Sequence, residues 1–92
     1  MALMSAAIGL DGALQRGEGS VSAARLGEGQ YEIEFGRDVT GCVYVASASI
    51  FQPTALITQA RVGKPNWVYV GVFSPNGTPF DAGFSLLVFC GR

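Results

Sequence analysis

The chain contains no histidine. That absence removes both the commonest general base near neutral pH and the commonest metal ligand. Cysteine occurs only at Cys42 and Cys90, and two thiolates without histidine do not complete a zinc site. Charge is sparse as well: 14% of residues are charged, the net charge is −1, and no basic cluster is present. The electrostatic footprint of a nucleic-acid binder is therefore missing. No apolar run approaches the roughly 20 residues of a membrane-spanning helix. "MALMSAAIGL" lacks the basic start of a secretory signal. G-x-S-x-G, a P-loop and H-E-x-x-H are all absent, and the glycine-rich "GEGS" and "GEG" read as turns.

Apolar material is abundant instead. Hydrophobic residues make up 49% of the 92, and the mean hydropathy is positive. A chain of this length forms one domain. Its folded surface should be about 5,100 Å², with roughly 63% of the unfolded surface buried. So small a core cannot hide this much apolar side chain, and the surplus must lie on the surface or in an interface.

The pattern is that of strands. Turn signals recur about every eight to twelve residues, the spacing of a sandwich or barrel. Asp11-Gly12 suits a type I′ hairpin between "SAAIGL" and "ALQR". Met1–Leu10 reads as strand in preference to helix, because Gly9 and the Asp-Gly turn interrupt an alanine-rich stretch. A strand over residues 20–26 precedes the Gly27-Glu28-Gly29 turn. In "QYEIEF", Tyr31, Ile33 and Phe35 point one way while Glu32 and Glu34 point to water. "CVYVASA", "ALITQARV", "WVYVGVF" and "FSLLVFC" follow. The loop "SIFQPT" holds Pro53, which is unsuited to a central strand. The longest polar connection is "SPNGTPFDAG". Ala24-Arg25-Leu26-Gly27 is echoed by Ala60-Arg61-Val62-Gly63, and Tyr31 and Trp67 each stand four residues beyond that glycine. Two similar hairpins, stacked as the halves of a sandwich with Tyr31 and Trp67 in matching places, would produce the echo; so would coincidence, since many hairpins use glycine and aromatics, and both readings are open.

Catalytic candidates are thin. Glu32 and Glu34 share one strand face and read as a solvated pair. Asp38 and Asp81 read as loop caps, and Asn76-Gly77-Thr78 as a turn. No catalytic, cofactor-binding or metal-binding residue is assigned. Cys42 opens one strand and Cys90 ends the last. Up-and-down strand order brings them to the same end, where a bridge and a pair of buried thiols are both open readings. Three strands are apolar on both faces: Trp67, Tyr69 and Phe73 alternate with Val68, Val70 and Val72; Val43 and Val45 oppose Tyr44; and Phe84, Leu86, Val88 and Cys90 oppose Ser85, Leu87 and Phe89. A sandwich strand normally keeps one polar face. One face of these strands fills the core and the other meets something else. Val68, Val70 and Val72, with Trp67 and Tyr69, are the expected contact between copies. Sugar stacking on Trp67 and Tyr69 is the alternative use of that face.

"RGEGSVSAARLGEGQYEIEFGRDVTGCVYVAS", "ARVGKPNWVYVGVF" and "FDAGFSLLVFC" carry a resemblance. They are similar to a small β domain that recurs in uncharacterised bacterial proteins and at the ends of phage-tail-fibre-like or surface fibre-like proteins. The shared features are the glycine-led Tyr-x-Ile-x-Phe strand, the cysteine after the Val-x-Gly loop, and the closing Leu87-Val88-Phe89-Cys90. The resemblance implies a trimer, a surface glycan or a protein receptor as partner, and a place on a cell or virion surface within a larger chain. The expectation is therefore an all-β, antiparallel, jelly-roll-like sandwich of about seven or eight strands. It self-associates, has no enzymatic activity and needs no cofactor.

Overall fold

Eight strands in two four-stranded sheets make up the fold. The computed structural model describes residues 2–50 and 52–91. The strands are β1 (Ala2–Ile8), β2 (Leu14–Glu18), β3 (Ser20–Gly27), β4 (Gln30–Phe35), β5 (Val43–Ala48), β6 (Ala55–Arg61), β7 (Lys64–Phe73) and β8 (Phe84–Cys90). No helix occurs among the described residues. Within the first ten residues Ala2–Ile8 form a strand, and Gly9 and Leu10 lead into the turn; Met1 lies outside the described residues. So does Phe51, in the expected loop between β5 and β6.

Sheet A has the order β2-β1-β8-β5 and sheet B the order β3-β4-β7-β6, and every strand pair within them is antiparallel. The alternation read from the sequence sets the inner faces. Met4, Ala6 and Ile8 from β1 and Phe84, Leu86, Val88 and Cys90 from β8 are buried against Tyr31, Ile33 and Phe35 from β4 and Val68, Val70 and Val72 from β7. The Tyr31 and Phe84 rings meet edge to face across the two sheets, with centroids 5.2 Å apart, an arrangement that contributes about 1 kcal/mol beyond its buried area. The fold is sandwich-like. The accessible surface is 5132 Å², close to the roughly 5,100 Å² expected of a compact chain of this mass.

Three local expectations are corrected. The Asp11-Gly12 turn is not type I′, since only Gly12 has positive φ. Gly12 N–H donates to Gly9 O and Gly9 N–H to Ala13 O, which describes a three-residue loop closed by a left-handed glycine. The two echoed hairpins, β3–β4 and β6–β7, do not form the two halves of the sandwich; they lie side by side in sheet B, joined by β4–β7 pairing. Nor do Tyr31 and Trp67 occupy matching places. The β6–β7 register shifts after Ala60, so Ala60 faces Val68 while Arg61 faces Lys64. The three residues between those partners are bulged, and a bulge re-aims every later side chain. Tyr31 therefore points into the core and Trp67 away from it.

Candidate functional site

Two outer sheet faces and one end of the sandwich carry the residues singled out by sequence. On the outside of sheet A, β1, β8 and β5 run side by side in regular register. Leu3 stands opposite Phe89 and Phe89 opposite Val43; in the next row Leu87 stands opposite Val45 and Ser5. The five large apolar side chains form one ridge, with Leu3 63% exposed, Val43 61%, Val45 58%, Leu87 47% and Phe89 41%. Beside it the small residues Ser5, Ala7, Gly17 and Ser85 leave a hollow of about 380 Å³ bordered by Arg16 and Glu18.

The outside of sheet B is different. Glu34 faces Trp67 and Glu32 faces Tyr69 across β4–β7. Glu32 is not solvated as its alternation suggested: it is 7% exposed. Lys64 Nζ lies 3.1 Å from Glu32 Oε1 and Arg61 Nη2 lies 3.4 Å from the same oxygen. The same cations cap the rings, Lys64 Nζ 4.8 Å from the Trp67 centroid and the Arg61 guanidinium 5.9 Å from that of Tyr69. A carboxylate taken out of water is tolerated when it is paired in this way. Glu34 accepts a hydrogen bond from Ser22 Oγ at 2.9 Å. A shallow cavity of about 360 Å³ runs along Gln59–Val62 beside Tyr69. The signal for this cluster was present in the sequence, where Arg61 and Lys64 flank the β6–β7 turn next to the glutamate strand.

Val68, Val70 and Val72, expected in a contact between copies, are fully buried within the chain itself. β7 sits between β4 and β6 in sheet B, and these valines take its inward positions. They have no surface left to offer another copy. Of that set only Trp67 and Tyr69 keep accessible surface, half-buried on the outer face.

Cys42 and Cys90 form a disulfide, with Cα atoms 4.5 Å apart. Val43 pairs with Phe89, so the cysteines occupy the next step of the β5–β8 ladder. Asp38 caps its loop by accepting from Thr40 N–H at 2.8 Å, and that hydrogen bonding holds its carboxyl below the usual range. Asp81 does more than cap. It accepts from Arg25 Nε at 3.0 Å, from Gly29 N–H at 2.9 Å and from the Tyr31 hydroxyl at 3.2 Å. The single Tyr31 hydroxyl proton is shared between Asp81 and Leu10 O, the latter closer at 2.8 Å. The Arg25 bond, then Gly29, lowers the Asp81 pKa, whereas burial first and then Asp81 raise that of Tyr31. This clasp ties the β7–β8 connection to the β3–β4 turn and to the β1–β2 loop.

No family model matches the chain, and no curated protein or solved structure matches it. Its own residues therefore carry the reading. Among the described residues no group of three or more Cys, Asp or Glu side chains is placed to hold a metal ion, and no helix is long and apolar enough to cross a membrane. Glu32, Glu34, Asp38 and Asp81 each hold intrachain partners. Among the described residues, the ridge on sheet A is an exposed apolar patch without such a role.

Proposed function

We propose that the chain is a non-enzymatic structural or attachment module that self-associates on a jelly-roll-like sandwich. It would serve as the head at the end of a fibre or as a binding head on a cell or phage surface. The ridge of Leu3, Val43, Val45, Leu87 and Phe89 carries the reading. With side-chain areas of roughly 150–200 Å², these exposures leave about 450 Å² of apolar surface in one patch, against about 300–600 Å² for the largest patch of a typical monomer. Covering it contributes about 11 kcal/mol at roughly 25 cal/mol per Å². That lies within the roughly 4–15 kcal/mol cost of association, so the patch supports assembly when further contacts join it. Closed symmetry covers the same patch on every copy, and the resemblance to fibre ends favours three.

Light scattering coupled to size exclusion tests the proposal. The expected mass is three times the 9.6 kDa chain. A monomer at micromolar concentration refutes it. That result would return the outer face of sheet B to ligand binding, where Trp67 and Tyr69 stand in register with two carboxylates beside a shallow cavity; a glycan array reads that alternative directly.

A further inference from the structure

Charge is distributed unevenly along the chain and, through the topology, around the sandwich. The 22 residues from Val39 to Ala60 carry no charge, although at 14% charged about three would be expected. They include all of β5 and all of β6 except Arg61. These are the open edges of the two sheets, and they lie beside each other on one side of the molecule. The opposite side is made by the edges β2 and β3. It bears Arg16, Glu18 and Arg25, and its pairings are interrupted by register shifts at Ala7/Ile8, Ser20/Ser22 and Arg25/Gly27.

Charges and bulges are the devices by which open sheet edges avoid pairing with other chains. The β2–β3 side has both. The β5–β6 side has neither along most of its length: β5 pairs with β8 without a shift over Val43–Ala48, and β6 with β7 over Ala55–Ala60. It also exposes Ile57, at 50%, and Ile50. An edge left this way in a soluble chain is one that is covered.

The occupant follows from area and symmetry. The ridge supplies about 450 Å², roughly half of the 800 Å² or so that each partner buries in a standard interface. A ring of copies also needs two different surfaces on each chain, one for each neighbour. The ridge and the β5–β6 side are the two uncharged surfaces, continuous through Val43 and Val45. Having no charge of either sign, they meet in identical copies without repulsion.

We infer that copies of this chain meet through the uncharged β5–β6 side, the ridge of one copy packing along the β5–β6 side of the next, with the charged β2–β3 side facing water. This rests on the self-association proposed above and adds the second surface and the orientation. Ile57 discriminates, because it lies on the sheet opposite the ridge, and contact through the ridge alone would not involve it.

The experiment is light scattering over a concentration series on three variants, each checked for folding by circular dichroism. Ile57→Lys and Leu87→Lys should each raise the dissociation constant about tenfold or more, since each desolvates an unpaired ammonium. Val21→Lys, at an exposed position on β3, should leave the assembly unchanged. If Ile57→Lys fails to fold, Gln59→Lys on the same strand, also exposed, replaces it with the same expectation. An unchanged mass for the β6 variant while Leu87→Lys dissociates overturns the inference and leaves self-association standing. Dissociation by Val21→Lys places the contact on the other side and overturns it equally. A monomeric unmodified chain removes self-association and the inference together.

Discussion

Reducing the Cys42–Cys90 bond should cost this small fold much of its stability. The bond closes a sequence separation of 48. In the chain-entropy treatment a loop of that length restricts the unfolded chain by about 4 kcal/mol. The native state contributes little opposing strain, because the β5–β8 ladder already brings the two Cα atoms to 4.5 Å, close to the roughly 4.5 Å of a directly opposed antiparallel pair. For 92 residues the unfolding entropy near the midpoint is about 190 cal/mol/K, so reduction should lower Tm by about 20 °C. Reduction isolates the loop effect better than replacement, because both sulfurs remain in place; a Cys42→Ala, Cys90→Ala double variant should lose about 1 kcal/mol more for the cavity at buried Cys90.

The assay is a circular dichroism melt of oxidised and reduced protein at one protein concentration, since the proposed self-association would make Tm concentration-dependent. Thiol titration of the denatured, non-reduced protein establishes the starting state. A Tm difference below about 5 °C between two verified redox forms would refute the loop-closure reasoning. Two titratable thiols in protein purified under oxidising conditions would refute the bond itself.

Two further predictions concern the loops. Asp81→Ala leaves the buried Gly29 N–H without its acceptor and should cost about 1–3 kcal/mol in a denaturant titration. Because the Asp81 pKa is lowered in the fold, its stabilising contribution is complete above the unfolded value of about 4 and disappears as pH falls through the folded one; the unmodified chain should weaken with acid in that range, and Asp81→Ala should flatten the dependence. Gly29 and Gly63 both have positive φ, near +70° and +78°, so alanine at either should cost about 1 kcal/mol in backbone strain. A Cβ at Gly29 would also lie 2.6 Å from Val72 O, whereas one at Gly63 meets nothing within 4 Å. Gly29→Ala should therefore be clearly the worse of the two in thermal melts, and equal losses would contradict the packing around the β3–β4 turn.

The strands were legible because their signal is local. The alternation in "QYEIEF" orients β4, and the Asp-Gly punctuation makes the first residues a strand. What escaped the sequence depends on distant partners. Both faces of "WVYVGVF" are apolar, and period-two alternation does not say which of two apolar faces turns inward. The bulge after Lys64 settles it by adding residues that the partner strand lacks, placing Val68, Val70 and Val72 inside and Trp67 and Tyr69 outside. Glu32 looked solvated for the same reason: the cations that cover it, Arg61 and Lys64, flank the β6–β7 turn, with Lys64 32 residues later in the chain. Asp81 looked like a local cap, but its partners Arg25, Gly29 and Tyr31 lie about fifty residues earlier, separations of 56, 52 and 50.

The apolar surplus has a structural counterpart in where the few charges are used. Beyond Asp38 the chain has only Arg61, Lys64, Asp81 and Arg92. Arg61 and Lys64 both pair with Glu32, and Asp81 with Arg25. Three of the four charges in the second part of the chain thus bind its later strands and connections to β3 and β4, inside the molecule's own framework. None is placed on the outer positions of β5 or β8, where Ser47 and Ser85 are the only polar side chains in rows otherwise built from Val43, Val45, Leu87 and Phe89. Hydroxyls hydrate such a face weakly in comparison with ionised groups. Under the self-association proposed above, covering a sheet surface composed this way removes apolar side chains from water, and a second chain with the same uncharged composition imposes no desolvated charge on it.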